Sequence, residues 1–369
     1  IIQSPVQITR VEVWVTNRRN TPTEVRNLIA FLDLGEGEGG AYRSSDRSLP
    51  GEAIFPGPSA DPWPSNRVNR LDPQEMLQRY GSIRDAASAG SILDASGYDG
   101  NIEYAQLTNA RMLQPNEYSF HPQLGYLSLN TALNQDEVVA VAYQYTVNGR
   151  TYQVGEFSND GIVAPKSLIL KLLKHQILNV RSPAWDLMMK NVYNLNAFQL
   201  SPDDFRLELL YVNDETGLPI PFLPKSSVKD QLLVQVLQTD KVNSNGDPFP
   251  DGLFDFVEGL TVLTSTGRII LPALEPFGSS LSKQLSSADE RKRYVYQELY
   301  DSTLFRAQEQ TQRNKFMLRG RYKSAGGSVI QLNSFNIPRG SISVTAGGNR
   351  LTENQDFTVD YALGQVRII

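Results

Sequence analysis

Two stretches of this chain follow one pattern at a constant offset of 239 residues, Gly125 matching Gly364. The first runs from Arg111 to Leu129 and the second from Arg350 to Ile368. Glu117 answers to Asp356, Tyr118 to Phe357, Phe120 to Val359, and Leu124-Gly125 to Leu363-Gly364. An aromatic, half-buried strand, a glycine free to take positive φ, and a second alternating strand spell a β-hairpin. A weaker echo precedes each copy, where Gly100 to Tyr104 resembles Gly340 to Val344. Chance likeness between two ordinary hairpins is the plain alternative. The repeat points instead to two related β-modules around a different middle section. The fold class expected is therefore α+β and β-rich: two antiparallel β-modules with a few flanking helices. We expect the sections 1–160, 161–285 and 286–369.

Sixteen Tyr and fifteen Phe favour sheet over helical bundle, and 369 residues suffice for several cores. The net charge of −5 gives no concentrated basic surface, so nucleic acid is not an expected partner. No apolar run is long enough to span a bilayer as a helix. The chain opens on Ile1-Ile2 and stops on Ile368-Ile369 within an alternating strand, so we expect a piece of a larger polypeptide.

Alternation over residues 6–16, with a slip near Thr9-Arg10, predicts a bulged strand. Thr21-Pro22-Thr23-Glu24 reads as a capping box, predicting a helix to about Leu34. Asp72-Pro73-Gln-Glu75 predicts another, to about Ala87. Residues 41–70 are rich in Pro, Ser, Asn and Arg, and Phe55 and Trp63 mark this stretch as a candidate contact segment. Asn148-Gly149 predicts a type I′ hairpin turn. Leu232 to Leu237 reads as strand rather than helix. Ser287-Ala-Asp-Glu290 caps what reads as the longest helix, to about Gln310, with Tyr294, Leu299 and Phe305 on its packed face.

The chemistry available is narrow. There is no cysteine, which removes disulfides, thiolates and Cys-ligated metals. Only His121 and His175 could serve a triad or a histidine metal site, and both read as ordinary hydrogen-bonded residues. The densest polar cluster runs from Asp240 to Asp255. Its Asn243, Asn245, Asp247, Asp251 and Asp255, spaced by glycines, could converge on Ca²⁺, although the spacing is not that of an EF-hand. An Asx-rich surface turn needing no ion is the alternative. No carboxylate pair stands out for glycosidase chemistry. The reading is a chain without catalysis.

Several segments together resemble one family. They are Trp185 to Tyr193, Gly252 to Phe256, Gly267 to Pro272 with Glu275 to Gly278, Phe316 to Tyr322, Gly340 to Gly348, and Val359 to Gly364. The chain is similar through most of its length to part of the SprA/Sov family, outer-membrane translocons of the Bacteroidetes type IX secretion system, also required for gliding motility. The resemblance implies a very large single-chain β-barrel through which folded cargo is exported. It implies a lateral-gate partner, a periplasmic plug and secreted cargo proteins as partners, and carries over no catalytic residues. This chain lacks the serial ten-residue lipid-facing strands of such a barrel. We therefore expect a soluble cap or peripheral insert on the extracellular or periplasmic side of the outer membrane. A carbohydrate-binding or carbohydrate-active cell-surface protein is the competing expectation, and an adhesin module a weaker one.

Overall fold

A computed structural model describes residues 4–18, 24–34, 63–67, 82–195, 197, 199–243, 245–324, 329–332, 334, 337–346 and 349–368. The described chain is α+β and rich in strand, with short helices and several sheets. It forms two compact units, Ile1–Met189 and Lys190–Ile369. The change of character after Gly161 thus does not coincide with the division between units.

In the first unit the strands are β1 (Val6–Val15), β2 (Val25–Phe31), β3 (Tyr104–Met112), β4 (Tyr118–His121), β5 (Tyr126–Leu129), β6 (Val139–Val147), β7 (Arg150–Val154) and β8 (Leu168–Lys174). Six of them form one sheet in the order β1-β3-β2-β8-β6-β7, and β1 also pairs with β6. That second pairing closes β1, β3, β2, β8 and β6 into a small barrel. All its pairings are antiparallel except β2–β8. Trp14, Leu28, Ala30, Leu168 and Leu170 share one buried cluster, while Ile29, Phe31, Tyr145 and Ile169 share another. Adjacent residues of one strand enter different clusters, as alternation requires. Helix α1 (Ala89–Ala95) packs Leu93 onto the second cluster. The expected bulge falls between Ile8 and Arg10. At the β6–β7 turn Asn148 and Gly149 both take positive φ, 49° and 78°, as a type I′ turn needs.

β2 corrects the first helix expectation. Leu28, Ile29, Ala30 and Phe31 are fully buried at the centre of the sheet. A short apolar run buried on both faces carries no period, so the capping signature before it misled. The second expected helix lies largely outside the described residues.

In the second unit the strands are β9 (Val192–Asn194), β10 (Leu200–Val212), β11 (Pro219–Ile220), β12 (Val262–Leu263), β13 (Arg268–Ile270), β14 (Phe316–Ser324), β15 (Val329–Gln331), β16 (Thr345–Ala346), β17 (Asn349–Arg350), β18 (Phe357–Asp360) and β19 (Gln365–Ile368). Three-stranded sheets run β11-β10-β14, β12-β13-β9 and β15-β19-β18. The helices are α2 (Leu233–Val236), α3 (Ser279–Ser282), α4 (Ala288–Tyr294), α5 (Glu298–Asp301) and α6 (Leu304–Glu309). Leu207, Leu209, Tyr211, Leu233, Phe254, Tyr294, Tyr296 and Tyr300 contribute to one core.

Two expectations fail here. Leu232 to Leu237 contains a single helical turn, α2, in place of a strand. The long helix from Ser287 breaks at Val295, which is extended, and again at Ser302. Ser287 caps the Glu290 N–H as expected, but Thr303 then caps a separate turn through the Arg306 N–H. Breaking rotates the intended stripe: Tyr294 is buried, whereas Leu299 and Phe305 are exposed, and Tyr296 and Tyr300 are buried instead.

The repeat is reproduced at the level of register. Tyr118, Phe120 and His121 face Leu129, Leu127 and Tyr126 in β4–β5. Phe357, Val359 and Asp360 face Ile368, Val366 and Gln365 in β18–β19. Each pair maps onto the other at the same offset, and Gly125 and Gly364 take φ of 68° and 64°.

Candidate binding groove

The residues singled out between Asp240 and Asp255 form one wall of a groove of about 1260 Å³ in the second unit. The other wall is β10, residues 204 to 210 of which line it without interruption, with Arg319, Gly320 and Arg321 of β14 beside it. Asn243, Asn245, Asp251 and Asp255 all line it too, and Asp247 does not.

Within the loop the oxygens are spent on the backbone. Asn243 Oδ1 accepts from the Asn245 and Asp247 N–H groups at 3.0 and 2.9 Å. Asp251 Oδ1 accepts from Leu253 N–H at 3.0 Å. Asp255 Oδ2 accepts from Lys241 and Val242 N–H at 2.6 and 3.2 Å. Asp240, buried and outside the expected ligand set, accepts from Asp251 and Gly252 N–H at 3.0 and 2.8 Å. Asp240 and Asp255 thus tie the two ends of the loop together. Burial pushes the Asp255 carboxyl up, its backbone hydrogen bonds opposing this, with Asp240 and Asp251 adding like charge. Among the described residues no trio of Asp, Glu or His is placed to hold a metal ion. Asn243 and Asp251 make Asx turns, and Asp255 bridges the loop's two ends.

Phe205, Phe254 and Phe256 form an aromatic cluster in the groove's lining. Phe205 meets Phe256 edge-on at 4.9 Å and lies 6.1 Å from Phe254. Next to Phe205 in the chain, Arg206 stands directly opposite Arg321 across the β10–β14 pair. Asp204, in a bulge at φ 57°, is ion-paired with Lys323 at 2.5 Å, and that pairing lowers its carboxyl.

Both histidines are engaged with backbone. His175 is buried, with Nε2 3.1 Å from the Gly100 and Tyr104 carbonyls and Nδ1 accepting from Ile177 N–H at 3.1 Å. His121 Nδ1 accepts from Leu124 N–H at 3.1 Å. At the matching position of the second hairpin, Asp360 Oδ1 accepts from Leu363 N–H at 2.9 Å. The two residue types do one job, bracing the turn before its glycine. His121→Ala should cost about 1 kcal/mol of stability for the lost acceptor. His121→Asp should stay near wild type in the same denaturant titration, and a loss as large as the alanine's would refute the shared role.

Trp63, the described part of the expected contact segment, packs against its own unit. Tyr145 donates its hydroxyl to the Pro64 carbonyl at 2.6 Å, and Asn66 N–H reaches the Gln153 carbonyl at 2.7 Å. Phe55 lies outside the described residues. Trp63, Phe120, Tyr126, Tyr143 and Tyr145 line an apolar pocket of about 380 Å³ beneath β4–β5.

A scan against protein-family models finds no match for this chain, and a search of curated proteins finds none either.

Proposed function

We propose that this chain is a non-catalytic module of a large outer-membrane protein-export assembly of the SprA/Sov type. Its partners would be the rest of the translocon barrel, the lateral-gate partner, the periplasmic plug and the secreted cargo. One observation carries the scaffold half of this reading: the conspicuous polar side chains are engaged in fixing backbone. Glu156, Asp240, Asp255, His121 and His175 all accept from main-chain N–H groups. The segments that carry the family resemblance are architectural as well. A Cβ on Gly267, Gly320 or Gly364 would stand 1.8, 2.0 or 1.7 Å from the carbonyl oxygen of Ala197, Arg206 or Ser334. On this reading these glycines serve the path of the backbone, as a structural insert requires.

The competing carbohydrate reading needs a line of exposed rings or two facing carboxylates. The groove's phenylalanines turn to one another instead, with Phe254 only 8% exposed.

Deleting this module in frame from the polypeptide that carries it should stop export of type IX cargo while the barrel is still made. Export at the wild-type rate, with barrel levels unchanged, would sink the proposal.

A further inference from the structure

We propose that the free edge of β10 facing the groove is a docking slot for an extended polypeptide segment, which adds to the β11-β10-β14 sheet as a further strand. In an antiparallel ladder, successive residues turn their peptide groups to opposite neighbours. Val212 N–H donates to the Lys315 carbonyl at 2.8 Å, and Asn213 N–H donates to Leu218 at 2.9 Å on the other side. Even-numbered residues of this part of β10 therefore turn to β14. Leu207 and Leu209 turn their N–H and C=O groups the other way. β11 covers that side only at Tyr211 and Val212. It goes no further because Pro221 carries its chain away, its carbonyl accepting from Leu233 N–H at 2.7 Å. Among the described residues no hydrogen bond reaches the outward peptide groups of Leu207 and Leu209.

An open edge is ordinarily a liability, blunted by charge, shortness or cover. This one is recessed. Its residues line a groove whose far wall is the braced Asx loop. The stretch from Phe205 to Leu210 is about 20 Å long at the usual rise per residue. The loop wall is held rigid by Asp240 and Asp255, so the slot is preformed.

The lining gives the occupant's chemistry. Leu207, Leu209, Leu232 and Val234 line the groove and suit apolar side chains. Next to Phe205, at the start of the stretch, Arg206 and Arg321 stand as like charges directly across the strands, an arrangement that costs stability unless an anion joins them. Asp204 beside them is already paired with Lys323. The fitting partner is an extended segment with apolar side chains at alternate positions and an acidic group at one end. Main-chain hydrogen bonds supply affinity and the ends supply selectivity, as in other strand-addition sites.

The test uses the intact chain and four synthetic probes: a short alternating Val/Thr peptide ending in Glu, the same peptide ending in Lys, and two forms of the Glu peptide N-methylated at alternate residues, one in each phase. In the free protein, Leu207 and Leu209 amides should exchange with solvent faster than those of Glu208 and Leu210. Saturation with the Glu peptide should slow them at least tenfold. One N-methylation phase should abolish binding while the other leaves it intact, and the Lys peptide should bind at least tenfold more weakly. Absence of binding by the Glu peptide would overturn the slot. Binding that survives both N-methylation phases, or that leaves the two amides unchanged, would overturn it as well. None of these outcomes depends on the export assay.

Discussion

Glu156→Ala should destabilise the first unit by about 3–5 kcal/mol, the range for leaving one member of a buried ion pair alone. Glu156 is 4% exposed. Its two oxygens take both terminal nitrogens of Arg84, at 2.6 and 2.8 Å, and Oε2 also accepts from Ile169 N–H at 2.8 Å. Its own N–H donates back to the Ile169 carbonyl at 2.9 Å. One carboxylate thus fastens the loop after β7 to β8 and anchors Arg84, whose side chain is 11% exposed. Removing it strands a guanidinium in low dielectric and orphans a buried N–H. The loss is a large share of ordinary domain stability. In urea the midpoint should fall with the slope unchanged. Glu156→Gln should fall between, since its amide oxygen can still accept from Ile169. The double replacement Arg84→Met/Glu156→Leu should recover part of the loss, because no lone charge remains buried. A double variant as unstable as Glu156→Ala would mean that the Ile169 contact alone carries the effect.

Nothing in the string marks Glu156. It sits in Gly155-Glu156-Phe157, which reads as the end of a strand, and its burial follows from where β8 passes. Long-range geometry of that kind is not legible locally. Alternation and turn chemistry are. The hairpins β4–β5, β6–β7 and β18–β19 fall where aromatic alternation and glycine place them, because register there is set within a few residues. The apolar runs at β2 and α2 were misassigned for one reason: both are buried and lack a readable period. The Asx-rich loop was legible as a place and not as a role. Its spacing suits either a cation or its own N–H groups, and Asn243, Asp251 and Asp255 accept from such groups in the fold. Asp240 entered only through its burial. The open edge of β10 left a trace in Pro219 and Pro221, residues that cannot extend a ladder, but its meaning depends on the loop that faces it.

The repeated hairpin yields the sharpest contrast between like sequences. Gly364→Ala should be severe and Gly125→Ala mild, although both glycines follow a leucine and share the left-handed conformation. For either, an alanine at positive φ costs about 1–2 kcal/mol. At Gly125 the added Cβ would meet only Ile8 Cδ1, at 3.8 Å, an ordinary contact. At Gly364 it would stand 1.7 Å from the Ser334 carbonyl oxygen and 2.9 Å from its carbon. Backbone must move there, and the nearby backbone is committed: the Leu332 N–H donates to the Gly364 carbonyl, and β15 pairs with β19 at Val329, Ile330 and Gln331. Displacing that segment adds about 1–3 kcal/mol, as for overpacking elsewhere. The sum exceeds what a three-stranded sheet centred on Phe357 and Val366 can absorb without local opening. Amide exchange in β4 and β5 should therefore accelerate by no more than the φ cost, about 5- to 30-fold, in Gly125→Ala, and exchange across β18 and β19 by at least a further tenfold in Gly364→Ala. Equal effects in the two hairpins would show that the turn conformation alone is at stake. In that case the close approach of Ser334 would not be what sets this glycine apart from its counterpart.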